Sequence, residues 1–549
     1  MSDQTNSSDD NKNNIQQREN IKLSPFTKAL ITALKTIKPK PRPDDLSALS
    51  VSQTVSFFAL VYERIRNAVE FREDHLILRA AIERILKRRF SLNPQGKGEA
   101  ENLLRELLWA RYFDNATLGA EDIKKTQAII DRYIFLHNLL VVGRDLETQS
   151  YLNQFLLDLT TSEIEETLRP DLASRNANLT FFIYQVLRKK IKIEGLSEQQ
   201  KDAFFLVAIE KVYRKSDKPY QRYHLFTTFY KPLNKYSLEE LKKFAYKLTN
   251  VFKKIDEMIA NPYVDGLIKF ARKQLPPFLI LFDIIKLKFN DIDNLLTNKE
   301  QLWSEVDLVC REKYQQLGKR ISNLAIKSFI YILLTKMLFA LILEYPLSRY
   351  IYGEVNNTSI IINSLFPPFL MVAILAFYRV PGEDNTRKIY QRILEIIDID
   401  RRFETQVAYM PKKPPVKRPL LIFGFTVFYS LTFLITLSLI YEVLTLLNFN
   451  LISQVIFIFF ISVVTFFSYR IRQIVKELRL EEKESVFTPF IDFFFMPILS
   501  LGKFFSQEIA KLNFFIFIFD FLIEAPFKFV FEVVEEWISF VRKRKEEII

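Results

Sequence analysis

From 419 to 469 the chain runs fifty-one residues with one charged side chain, Glu442. No core helix of a water-soluble domain needs so long an uncharged run, whereas a membrane-spanning helix takes roughly 20 apolar residues. The run therefore divides into two spans, 419–441 and 451–469, that turn over 442–450. A third span is expected within 355–378, which carries no charge and is most apolar from Ile360 onward. A fourth, 328–343, is interrupted by Lys336 and bracketed by Lys327 and Glu344, but it gives the third its hairpin partner.

Orientation follows from the short loops, because the side that keeps Lys and Arg is normally the cytoplasm. The loop 379–418 carries ten basic residues, 344–354 carries only Arg349, and 442–450 carries none. Arg470, Arg472, Lys476 and Arg479 follow the last span at once. Both termini and the central loop are thus expected on the cytoplasmic side of the cell membrane, with two short tips outside. The polar opening 1–20 has no apolar signal segment and reads as a disordered tail. The first span would then direct insertion.

A mean hydropathy of only +0.03 leaves much of the chain in water. Its 77 basic against 64 acidic residues suit an anionic inner leaflet at least as well as nucleic acid, and nucleic acid is not the partner expected. The region 46–320 shows apolar residues at three- and four-residue spacing with Pro or Asn at the breaks, the pattern of a helical bundle. Helices are expected at 99–112, 120–140, 147–159 and 179–193, and two more within 51–90. Ser237 and Glu240 form a capping box before a heptad seam of Leu238, Leu241, Ala245, Leu248, Phe252, Ile255 and Ile259. Phe244, Val251 and Met258 widen that stripe, which favours packing within the chain over a coiled-coil dimer.

The fold class is therefore all-α. It divides into a disordered, basic tail over 1–45, a cytosolic helical domain over 46–320, a first transmembrane hairpin over 321–380 and a basic loop over 381–417. A second hairpin occupies 418–470, then an amphipathic tail 471–549. That tail holds sixteen of the fifty-two phenylalanines between 486 and 541. At its end Phe527, Val530, Phe531, Val534, Trp537, Ile538 and Val541 share one helical face, followed by Arg542, Lys543, Arg544 and Lys545, a pattern that suits a membrane surface.

Signatures of chemistry are sparse. A single cysteine, Cys310, excludes an internal disulfide and a thiolate metal cluster, and the three histidines lie far apart. Gly96-Lys97-Gly98 completes neither a dinucleotide fingerprint nor a phosphate loop. No cofactor and no enzyme activity are expected. The candidates left are Lys336, Glu344 and Glu442, ionisable groups in or beside spans, and Pro367 and Pro368, expected to kink theirs. Glu344 and Glu442 are expected at outer helix ends in reach of water. Lys336, nine residues into its span, would cost on the order of 2.5 to 3.5 kcal/mol if unpaired. The function expected is a membrane-anchored helical scaffold or interaction protein, with the bilayer, a protein partner and a second copy as candidate partners. The alternative is an oligomeric channel or transporter.

Overall fold

The computed structural model describes residues 21–44, 47–53, parts of 56–64, 74–353, 355–376, 380–403, 407–410, 419–480, 495–505 and single positions between 533 and 544. The described chain is helical nearly throughout. It forms two compact units, one built mainly from 24–272 and the other mainly from 273–404 and 413–517.

The first unit contains α1 (Pro25–Thr36), α2 (Asp74–Leu92), α3 (Glu99–Trp109), α4 (Ala120–Leu140), α5 (Leu146–Leu168), α6 (Pro170–Leu187), α7 (Glu198–Tyr213), α8 (Lys218–Phe229) and α9 (Leu238–Ile259). Local chemistry fixes the starts. Ser24 accepts from the Thr27 amide ahead of Pro25, Asp145 caps α5 through the Thr148 amide at 2.9 Å, and Asp217 caps α8 through the Tyr220 amide. The Ser237–Glu240 capping box is present, with Glu240 accepting from the Ser237 amide at 2.8 Å.

Helix α5 is the centre of this unit and packs against α2, α4, α6 and α8. It is longer than expected. The polar run from Thr160 to Glu166 looks like a helix end in sequence, yet the helix continues because Thr160, Thr161, Glu163, Glu165 and Glu166 find partners inside the unit. Thr160, for example, donates to the Leu156 carbonyl at 2.8 Å. The heptad face of α9 is covered by its own chain: Leu241, Ala245, Leu248, Phe252 and Ile255 are buried, and Phe252 stacks on Phe155 of α5 with centroids 4.0 Å apart. The helix expected at 179–193 begins earlier, at Pro170, and stops at Leu187. A 3-10 turn and strand β1 (Ile191–Ile193) come next, and β1 pairs in parallel with β2 (Ala408–Met410).

The second unit takes up the chain within α10 (Pro262–Leu287) and continues through α11 (Ile292–Thr297) and the long α12 (Lys299–Phe339). A π-helical turn (Ala340–Glu344) joins α12 to α13 (Tyr345–Tyr352). Beyond it lie α14 (Asn357–Ala376), α15 (Glu383–Ile397), α16 (Pro419–Leu446), α17 (Leu451–Lys476) and α18 (Phe495–Phe505). Asn385 of α15 ties this unit together, donating to Tyr314 Oη at 2.8 Å and to the Leu478 carbonyl at 2.9 Å while accepting from the Leu480 amide at 3.0 Å.

Four helices are long and apolar enough to cross a membrane: the continuous helix Lys299–Tyr352, then Asn357–Ala376, Phe423–Leu446 and Leu451–Ser468. The last is the most enclosed, 44% buried against 11% for Phe423–Leu446, so α17 is central and α16 peripheral. Met371, Leu375, Val464 and Ile471 form the core between α14 and α17. The turn between the last two apolar helices is tighter than expected. Helix α16 extends to Leu446, placing Glu442 inside it, and Asn448 takes the left-handed conformation at φ 59° that a short reversal needs.

Candidate functional site

Pro346 has no amide to offer the carbonyl of Ile342, and its ring crowds that carbonyl. The helix answers with the π-helical turn over Ala340–Glu344. The turn inserts one residue and so rotates the helix beyond it. Glu344, expected at a water-facing end, is instead fully buried, and its Oε2 accepts from Lys336 Nζ at 3.3 Å. Lys336 is itself fully buried and lies 4.8 Å from the centroid of Phe460, so aromatic and carboxylate together surround the ammonium.

Two further apolar helices close on this pair. Asn363 of α14 donates to Glu344 Oε1 at 2.6 Å and to the Ser453 carbonyl of α17 at 3.0 Å. Asn450 donates to Ser348 Oγ at 2.9 Å and accepts from the Ser453 amide at 2.9 Å, capping α17. Asn363 Oδ1 and Ser453 Oγ are buried with no hydrogen-bond partner. Pro367 and Pro368 are buried inside α14, which stays helical through them. Lacking amides, they leave the carbonyls of Asn363 and Ser364 without their usual helical donors at this same polar level.

Of the five intramembrane candidates, the structure thus brings Lys336 and Glu344 into contact, sets Pro367 and Pro368 one turn from Asn363, and leaves Glu442 exposed on α16. Sequence reasoning missed Asn363 and Ser453. Asn363 is the only Asn of the apolar run 360–376, and that isolation was its signal. Of the tail candidates, Trp537 is exposed and Arg544 lies on helix at the surface, whereas Arg542, Lys543 and Lys545 lie outside the described residues.

A second cluster of ionisable groups lies in the first unit, around α5. Arg222 donates to Asp158 at 2.6 Å and to both oxygens of Asp256, with Phe155 beneath its guanidinium at 4.4 Å. Arg79, buried, bridges Glu83 at 2.9 Å and Asp217 at 2.6 Å. Tyr220 donates to Glu165. His224 lies between Glu166 at 2.8 Å and Glu210 at 3.2 Å. Burial alone would depress its imidazole, but the charge of Glu210 and the hydrogen bonds to Glu166 and Glu210 outweigh burial and raise it to about 9. Glu163 accepts the backbone amides of Leu233 at 3.1 Å and Asn234 at 2.8 Å. Burial pushes its carboxyl up to about 7 even though those amides favour the charged form. These groups act as latches between α2, α5, α7, α8, α9 and the 233–235 turn. No group of three or more metal-ligating side chains occurs among the described residues.

No protein-family model matches this chain, and no curated protein or solved structure matches it either.

Proposed function

We propose that this chain is a multi-pass protein of the cell membrane, with four spans and both termini cytoplasmic, that anchors a helical interaction domain at the membrane. In this reading the domain over 46–320 meets protein partners, the hairpins 321–380 and 418–470 hold the chain in the bilayer, and the basic loop 381–417 faces the anionic inner leaflet. The observation that carries it is the pairing of buried Lys336 with Glu344, whose other carboxylate oxygen accepts from Asn363. A lysine in a span needs a partner or a path, and here its partner is supplied eight residues away in the same helix. The proximity of Asn356 Nδ2 to the Asn448 carbonyl, 3.3 Å, supports a common outer side for both tips.

A second reading, an oligomeric channel or transporter, is favoured by one observation. The unpartnered Asn363 Oδ1 and Ser453 Oγ adjoin the charge pair and offer two acceptors to a water or cation.

Single cysteines at Asn356 and Asn448, in a Cys310→Ser background, are expected to react with an impermeant reagent from outside, and cysteines at Lys413 and Ser485 only from inside. Outside labelling at Lys413 overturns the topology. Flux measured in reconstituted vesicles separates the two readings: the anchor reading expects none that depends on Lys336.

A further inference from the structure

The loop after α3 holds an arginine where glycine is the usual residue. Helix α3 ends with the amide of Arg111 donating to the Leu108 carbonyl at 3.1 Å and the amide of Tyr112 donating to the Leu107 carbonyl at 3.0 Å. That pair of bonds is a Schellman motif, whose left-handed position is commonly filled by glycine because a Cβ is unfavourable there. Here it is Arg111, at φ 56°. The side chain is held in turn, its Nε donating to Ser56 Oγ at 3.1 Å.

Arg111 lines an open pocket of about 450 Å³ together with Arg169, Asp114, Asp171, Phe113 and Leu172. Arg169, at the junction of α5 and α6, is fixed by donation from Nη2 to the Tyr112 carbonyl at 2.9 Å and by stacking over Phe113 at 4.9 Å. Each guanidinium has five N–H donors, and these hydrogen bonds use one of each. Among the described residues neither guanidinium has a carboxylate at ion-pair distance, and neither Asp114 nor Asp171 has a cation there. Two fixed guanidinium groups and two carboxylates therefore share one cavity without neutralising each other. A simple anion would satisfy the arginines and meet the aspartates as like charge. A simple cation would do the reverse. A ligand with both charges a few ångströms apart satisfies all four.

We propose that this pocket binds a small zwitterion carrying a phosphate and an ammonium group, the phosphate on Arg111 and Arg169 and the ammonium on Asp114 and Asp171. That chemistry occurs in phosphoethanolamine, either free or as a lipid headgroup. The site is independent of the anchoring role.

The test uses the full chain in a maltoside detergent and O-phosphoethanolamine as probe, followed by titration calorimetry. Binding is expected, with inorganic phosphate alone and ethanolamine alone each weaker by at least about tenfold. Arg111→Gly is expected to melt no lower than the parent, since glycine suits the left-handed position, yet to lose at least about tenfold in affinity. Asp114→Asn should weaken the zwitterion and strengthen inorganic phosphate. Tighter binding of mixed micelles with phosphatidylethanolamine than of the free probe identifies a lipid headgroup, and the reverse order a soluble ligand. Either order supports the site. Phosphate binding as tight as the zwitterion, unchanged affinity in Arg111→Gly, or no binding of the probe overturns it.

Discussion

Lys336 and Glu344 meet at 3.3 Å across a π-helical turn, eight residues apart on one helix. In a regular α-helix the eighth residue lies about 80° around the axis, whereas one inserted residue brings it back to within about 20°. Pro346, which enforces the turn, therefore aligns the charge with its partner. Removing one partner leaves a buried charge uncompensated, which costs about 3–5 kcal/mol, while replacing both with apolar residues is often neutral. Lys336→Leu and Glu344→Leu should each destabilise the protein in detergent unfolding, and the double substitution should recover most of the loss. Equal stability of all four proteins would show that the pair is not formed. Were Lys336 unpaired, Lys336→Leu would only make its helix more apolar; the buried carboxylate of Glu344 reverses the sign.

The first unit should lose stability in two steps as pH rises. Glu163 is raised from 4.5 to about 7 in the fold. Its neutral form is the favoured one, so stability is greatest below the unfolded value near 4.5 and declines until about 7, by on the order of 3 kcal/mol at 1.36 kcal/mol per pH unit. His224, raised from 6.5 to about 9, contributes stability that is complete below 6.5 and is lost as pH climbs through 9. Glu163→Gln should flatten the lower step and His224→Gln the upper one in denaturant titrations followed by tryptophan fluorescence. A lower step that persists in Glu163→Gln would assign it to another group.

The sequence made the all-α class and the apolar spans legible because their signals are local: long uncharged runs, a capping box, a three-and-four spacing. The buried charges were not local. Thr160 to Glu166 read as a polar helix end because nothing in that run reveals that Leu233, Asn234 and Tyr220, far along the chain, supply its partners. Glu344 read as a helix end for a related reason. A charge after an apolar run usually marks a boundary, and only the proline two residues later hints that the helix is re-registered instead. Asn363 was hidden by its neutrality, since counting charges does not register an amide.

Arg111 predicts a gain. A non-glycine residue in the left-handed region is disfavoured by about 1–2 kcal/mol, and the lost Ser56 hydrogen bond offsets part of that, a net contribution of about 0.5–1.5 kcal/mol. Arg111→Gly should therefore be neutral to mildly stabilising in thermal unfolding, and Arg111→Ala, which keeps the Cβ, should be the less stable of the two. If alanine were the more stable, the left-handed conformation at 111 would be wrong.

Gly502 predicts the reverse. Helix α18 comes so close to α17 that a Cβ at Gly502 would clash with the Ser462 carbonyl oxygen and lie 2.7 Å from Phe466 Cβ. The first obstacle is backbone and cannot swing aside. The same helix places Ser500 Oγ 2.8 Å from Tyr429 Oη of α16 and stacks Phe505 edge-on against Phe459 at 4.9 Å. Phe459 lies midway along the apolar stretch Leu451–Ser468, so α18 packs at mid-length of α17; if that stretch spans the bilayer, close approach of helix backbones there replaces the hydrophobic drive available in water. Cysteines at Tyr429 and Ser500, in a Cys310→Ser background, should cross-link in native membranes on mild oxidation. Adding Gly502→Ala should abolish the cross-link while leaving expression unchanged. A cross-link that survives Gly502→Ala would mean that the two helices are not in backbone contact at this position.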